Sequence, residues 1–358
     1  MSNFLSVTTS FILKKIGFGN NSYITQNAVR KQTIKKSNNA AFANMSKADK
    51  RFFVRNFRLG GAAPSLVSWS SVCWSPELGM FVAIANGSTA TMKSYDGITW
   101  TASGAAPSAN WISVCWSPEL GMFVAVAFRA TPPMRSSDGI TWTISGTTTP
   151  VSAYWYSVCW SPELGMFVAI AAGSTATMKS YDGINWTASG VAPSTASWSS
   201  VCWSPELGMF VAVAFDSTAT MKSYDGITWT SSGAAPSAYW YSVCWSPELG
   251  MFVAVAYSLT ATMKSYDGIN WLPSGAAPSA GWTSVCWSPE LGMFVAVAAG
   301  STGSTATMKS YDGITWTASG AAPSAGWFSV CWSPELGMFV AIAQNSTATM
   351  RSLSLKEY

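Results

Sequence analysis

Residues 69–85 read WSSVCWSPELGMFVAIA, and residues 89–108 continue TATMKSYDGITWTASGAAPS. The stretch holds four short runs rich in aromatic and β-branched residues, at Trp69–Ser75, Met80–Ala85, Thr89–Tyr95 and Ile98–Ser103. Turn formers separate them: Ser75-Pro76-Glu77-Leu78-Gly79 between the first two, and Asp96-Gly97 between the last two. No run reaches the ten or more residues that a helical period needs. The stretch therefore predicts four antiparallel strands, A to D.

The same unit recurs along the chain. Cys73, Cys115, Cys159, Cys202, Cys244, Cys286 and Cys331 mark seven copies, and 258 residues in six steps give a mean period of 43. That length suits a four-stranded blade of a β-propeller. Asp-Gly turns occur in six units only, at Asp96, Asp138, Asp182, Asp225, Asp267 and Asp312. The last unit stops after Thr347–Ser352 without a fourth strand. An unmatched stretch upstream, Asn56–Ser65, aligns with Thr99–Ser108 and puts Phe57 where Trp100 stands. The expected fold class is all-β: a seven-bladed β-propeller of four-stranded antiparallel blades over residues 52–358, closed by the N-terminal strand Asn56–Leu59. Such closure removes the unpaired strand edges that invite aggregation.

The 20 tryptophans fall at three repeating positions, beside Trp69, Trp74 and Trp100, and read as filling between blades. The methionines at the Met80 and Met92 positions read the same way. The seven cysteines share one position on strand A, too far apart for a disulfide and with no second ligand nearby for a metal. They suit a reducing compartment or a particle assembled inside a cell. No metal and no cofactor is expected, and the chain contains no histidine.

The net charge of +4 conceals two opposed parts. Residues 1–60 carry 11 Lys/Arg against one acid, Asp49, while the rest carries 9 basic and 15 acidic groups. Residues 1–51 form a basic arm without repeats. Three readings stay open for it: an organelle transit peptide, a nucleic-acid or anionic-surface binder, and a docking arm. It lacks the Arg clustering and interleaved aromatics of a dedicated nucleic-acid binder. Docking into a neighbouring protein is favoured, with Phe11, Ile12, Lys14, Lys15, Lys35 and Lys36 as its contacts and Phe4, Leu5, Leu13 and Ile16 as further apolar anchors. Apolar runs reach only about seven residues, so no transmembrane helix is expected. Phe4–Phe18 is interrupted by polar residues and Lys14-Lys15, so no Sec-type leader is expected either.

Strand alternation sorts the loops onto two rims. A–B and C–D turns share one rim, which is nearly invariant and carries Glu77 and its equivalents with the six hairpin aspartates. The basic residues at the Lys93 position are expected to pair with some of those acids. B–C loops and D–A connections share the other rim, where the units differ. There Phe128, Arg129, Tyr154, Tyr239 and Tyr257 are the candidate ligand contacts, because recognition usually sits on differentiated loops over a rigid frame.

The motif Ser94-Tyr95-Asp96-Gly97-Ile98-Thr99-Trp100 resembles the Asp-box, or BNR repeat, of sialidases and related propellers, with one residue fewer between Asp and Trp. The resemblance implies that Asp and Ser fix the turn and that Trp packs beneath it. Sialidases use an arginine triad and a Tyr–Glu nucleophile pair, whereas the ring beyond its closing strand has only Arg129, Arg135 and Arg351. No catalytic residue is assigned, and an enzyme is not expected. The tandem WSPELGMFVA and DGITW units also resemble repeat propellers of large DNA viruses and marine phages. That resemblance implies a virion surface, fibre or decoration component, with a cytoplasmic or organellar location as the alternative. Partners would then be other proteins of the particle, reached through the arm. A multivalent lectin-like binder of surface glycans, stacking sugars on repeated Trp and Tyr platforms, is the competing expectation.

Overall fold

The computed structural model describes Ser46 and residues 57–353, apart from 130, 147–150, 258–259, 301–305 and 320–321. The arm residues Phe11, Ile12, Lys14, Lys15, Lys35 and Lys36, the boundary at 51/52 and parts of the B–C loops of blades 2, 5 and 6 lie outside the described residues.

The described residues form strands and turns, without a helix, in seven four-stranded antiparallel sheets. Blade 1 runs from strand A (Ser68–Ser75) through B (Met80–Asn86) and C (Thr91–Ser94) to D (Thr101–Ala102). Blades 2 to 6 repeat that order, their A strands starting at Trp111, Tyr154, Trp198, Trp240 and Gly281. Blade 7 takes A, B and C from Trp327–Ser333, Met338–Ala343 and Thr349–Ser352, and its fourth strand from Phe57–Leu59. Phe57 pairs with Ser352, Arg58 with Arg351 and Leu59 with Met350. Phe57 is 3% exposed, in the place of the repeated tryptophan. The ring is closed as its sequence implies.

Strand B explains why its sequence is apolar throughout rather than alternating. Phe81, Ala83 and Ala85 pack within blade 1 against Trp69, Trp74 and Trp100, while Met80, Val82 and Ile84 pack into blade 2 against Trp111 and Trp116. A strand buried on both faces has no polar side to show. All twenty tryptophans are buried, none more than 8% exposed.

Strand D is shorter than its sequence suggests: two residues in blade 1, against the expected Ile98–Ser103. Asp96 is the cause. One carboxylate oxygen accepts the backbone N–H groups of Ile98 at 2.8 Å and Thr99 at 2.7 Å, and the Ser94 hydroxyl at 3.0 Å. Those N–H groups are withdrawn from the ladder, so strand pairing resumes only at Thr101. Gly97, with φ at 70°, completes the turn, and a Cβ there would strike Met338 and Val340 of the neighbouring blade.

Two belts of side-chain hydrogen bonds run around the ring. In one, the indole N–H of Trp116 donates to Glu77 at 2.7 Å, and each following blade repeats the bond back to its predecessor until Trp74 donates to Glu335 across the closure. In the other, the Val114 N–H donates to the Ser71 hydroxyl, again seven times around. Each of these glutamates accepts an indole N–H of the next blade, a role the expected pairing with lysines did not include. Lys93, Lys179, Lys222 and Lys264 lie over the ring of the tyrosine two residues on, at 5.3–5.8 Å. A carboxylate within reach of a buried indole N–H forms a charge-assisted bond, whereas an exposed Lys–Glu pair contributes little.

Candidate functional site

Strand A carries a β-bulge at the same place in every blade, between Trp69 and Ser71 and their equivalents. A bulge re-aims the side chain of its extra residue. Here that residue is Ser70, Ile112, Tyr156, Ser199, Tyr241, Thr283 and Phe328 in turn around the ring. The small ones face sideways: the hydroxyls of Ser70, Ser199 and Thr283 donate to the tryptophan carbonyl of the next blade at 2.7–2.9 Å. The aromatic ones, Tyr156, Tyr241 and Phe328, turn inward. The Tyr156 hydroxyl donates to the Tyr241 hydroxyl at 2.7 Å, and Tyr241 meets Phe328 edge-on at 5.7 Å. Blades 3, 5 and 7 are not neighbours, so these contacts cross the ring axis. Burial pushes the hydroxyls of both Tyr156 and Tyr241 up from their ordinary values.

The rim loops add further rings to this centre. Phe128, in the B–C loop of blade 2, stacks on Tyr154 at 4.8 Å and 20°, and meets Tyr156 edge-on at 6.2 Å. Phe215, in the B–C loop of blade 4, lies 5.2 Å from Tyr239, 5.8 Å from Tyr241 and 6.4 Å from Tyr257. The result is one continuous aromatic track across the mouth of the ring. Tyr154, Tyr239 and Tyr257 are its outward members, about half exposed. Arg129 and Tyr154 also line one depression of about 480 Å3, with Ser152, Ala153, Ala172, Gly173 and Ser174.

The five residues read from the loops therefore share one rim, with Phe128, Arg129 and Tyr154 gathered in one place and Tyr239 and Tyr257 in another. Sequence reasoning missed what joins them: Tyr156, Tyr241, Phe215 and Phe328. A signal was present for three of these, because the residue after the first tryptophan of W-x-S-V-C varies inside an otherwise uniform stretch.

The cysteines are half-buried free thiols on strand A, each donating to the carbonyl of the following tryptophan at 3.5–3.6 Å. Burial raises them all, Cys115 to about 11 and Cys244 to about 12. Among the described residues no three His, Cys, Asp or Glu are grouped to hold a metal. No helix among them is long and apolar enough to cross a membrane.

No family model matches the chain, and no curated protein matches it. Solved propellers do. Virginiamycin B lyase from Staphylococcus aureus is similar with a TM-score of 0.70 at 9% identity, over 83% of this chain and 99% of that one. A streptogramin B lyase structure gives 0.71 at 10% identity, over 84% and 99%. YCF48 from Cyanidioschyzon merolae gives 0.62 at 13% identity, over 84% and 99%. At these identities the likeness shows the seven-bladed fold, which hosts many functions.

Proposed function

We propose that this chain is a non-catalytic recognition propeller that binds its target with the aromatic rim. The observation carrying this reading is the asymmetry of the ring: on otherwise uniform blades, one rim gathers eight aromatic rings, three of them about half exposed. Large exposed aromatics are the usual anchors of interfaces. The absence of catalysis is supported by repetition, since the blades supply copies of one group rather than a unique reactive cluster. The charged side chains described in the variable loops are Arg129 and Asp216, and Ser197 binds the Asp216 carboxylate at 2.9 Å through its hydroxyl. Among the similar structures, YCF48 occurs in one bound to a D1 peptide, so the fold accommodates protein recognition.

The finer reading places the propeller on a virus particle, held by residues 1–51 through Phe11, Ile12, Lys14, Lys15, Lys35 and Lys36. Its support is the resemblance of the tandem units to viral and phage propellers, together with the Asp-box-like turn built by Ser94, Asp96 and Trp100. Removing residues 1–50 should leave the ring folded and abolish co-sedimentation with particles; undiminished co-sedimentation would end the docking role. Replacing Tyr154, Tyr239 and Tyr257 together by alanine should leave the protein on particles and abolish their adhesion to the host surface. Unchanged adhesion would remove the recognition role from this rim. The lectin expectation loses its tryptophan platforms, because all twenty tryptophans are buried. A carbohydrate reading survives only at the variable rim.

A further inference from the structure

The B–C loop makes the same backbone turn in several blades, and the residue that makes it has a positive φ. Blades 1, 3 and 6 use Gly87, Gly173 and Gly300, at 62–67°, and blade 7 uses Asn345 at 47°. These are the residue types that tolerate such a backbone. Blade 2 puts Arg129 at the same place in the loop but with φ at 122°, outside the left-handed well the other four occupy and harder still for a side chain to adopt. A glycine would relieve the strain, and a strained residue persists where the surroundings hold it and function uses it.

Arg129 projects at a depression whose lining carries no acid, and among the described residues its guanidinium has no ion-pair or hydrogen-bond partner. Every described glutamate and hairpin aspartate belongs to the opposite rim. Tyr154 lines the depression while Phe128, which does not, stacks behind it at 4.8 Å. Phe128 thus covers one side of the tyrosine ring, which stays about half exposed and lines the depression. Ser174 accepts the Ala176 N–H at 3.0 Å and keeps its own hydroxyl proton to donate. A Cβ on Gly173 would meet nothing within 4 Å, so the floor is open. A volume of about 480 Å3 lies within the range of small-ligand sites, roughly 300–1,000 Å3.

We infer that the depression between blades 2 and 3 binds a carboxylate-bearing saccharide unit, with Arg129 on the carboxylate, Tyr154 against the apolar face of the pyranose and the serines on its hydroxyls. Arginine's planar fork matches a carboxylate with two parallel bonds. A single ring wall and hydroxyl-bearing neighbours suit a pyranose better than a flat apolar ligand, which would need enclosure. The inference rests on the variable rim being the recognition surface, and it names the ligand class there.

The test titrates the full chain with methyl β-glucuronide, methyl β-glucoside and inorganic phosphate, followed by NMR. The glucuronide should saturate, with the glucoside and phosphate each at least tenfold weaker. Arg129→Gly should weaken the glucuronide at least tenfold while the melting temperature stays level or rises. Arg129→Gln should weaken it similarly, and Tyr154→Ala should weaken both sugars. Equal affinity for charged and neutral sugar, phosphate binding as tightly as glucuronide, or Arg129→Gly retaining affinity would each overturn the inference, as would no binding at all. If glucuronide fails while the triple tyrosine variant still abolishes host adhesion, the ligand class is wrong and the recognition rim stands. If both fail, the rim reading falls too.

Discussion

At the rim of the A–B turns, one position holds Glu77, Glu119, Glu163, Glu206, Glu248, Glu290 and Glu335; at the opposite rim, one position holds Asn86, Phe128, Ala172, Phe215, Tyr257, Ala299 and Gln344. The hydrogen bonds account for the contrast. Each glutamate bonds through its side chain to the indole of the next blade. The variable residues bond through the backbone: Phe128, Phe215, Tyr257 and Gln344 each donate their N–H to a carbonyl of the preceding connection at 2.8–2.9 Å. A side-chain bond fixes the residue type, whereas a backbone bond leaves the side chain open to other uses. Uniformity at one rim is a product of ring assembly, and diversity at the other is permitted by it.

The largest effects should come from the seam that both rims share. Phe57→Ala empties a fully buried aromatic position in the three-residue strand that closes blade 7. A loss of about 3–5 kcal/mol is expected from chemical denaturation. Removing residues 1–65 should abolish the single cooperative transition, because the outer edge of blade 7 is then unpaired. A cooperative transition at the original midpoint would show that closure by Phe57–Leu59 is dispensable.

Next in size is the invariant rim. Glu77→Ala strands the Trp116 indole N–H and should cost about 1–2 kcal/mol, reduced from the full value of a charge-assisted bond because Glu77 is exposed. Lys93→Ala on the same rim should cost a few tenths at most. Equal effects at the two positions would break the claim that inter-blade bonding, rather than surface charge, keeps this rim uniform.

A third test uses acid. Partial burial pushes the hairpin aspartates up, but the backbone N–H groups two and three residues on, with hydroxyl or amide side chains, outweigh it. Asp138, Asp182, Asp225 and Asp267 are held at about 2, below the ordinary 3.8, and Asp96 and Asp312 are lowered as well. A carboxyl whose pKa is lowered by folding adds stability that is complete above its unfolded value and lost as pH falls through the folded one. Urea midpoints should therefore be flat down to about pH 4 and fall between about pH 4 and 2. A midpoint unchanged across that window would show that the aspartate turns contribute nothing.

How far the chain could be read without its structure follows the same division. Fold, blade number and closing strand were legible because each rests on a repeated local pattern: turn chemistry, apolar run lengths, and the alignment of Asn56–Ser65 with Thr99–Ser108. Two things were not. The short D strands depend on Asp96 taking N–H groups from the ladder, a competition that a strand pattern does not display. The aromatic centre depends on a bulge after Trp155 and Trp240 that turns Tyr156 and Tyr241 across the axis, bringing together residues 85 positions apart. Sequence spacing carries no record of that meeting. The loops holding Phe128, Arg129, Tyr154, Tyr239 and Tyr257 were found because they differ, and difference locates a surface without saying how its members touch.

The smallest effects on stability should fall where the effects on recognition are largest. Tyr154, Tyr239 and Tyr257 are about half exposed, and their replacement by alanine leaves the blade cores intact. Each should shift the unfolding free energy by about 0.5 kcal/mol or less. Tyr241→Phe is the sharper variant, since it keeps the ring and removes the oxygen that accepts the Tyr156 hydroxyl at 2.7 Å. Leaving that half-buried donor unpaired should cost about 1–3 kcal/mol. Tyr156→Phe and the double variant complete a cycle. If the two hydroxyls act as one bond, the double variant should be no worse than either single one; additive losses would mean that each hydroxyl serves a separate partner and that the aromatic centre is not the single unit described.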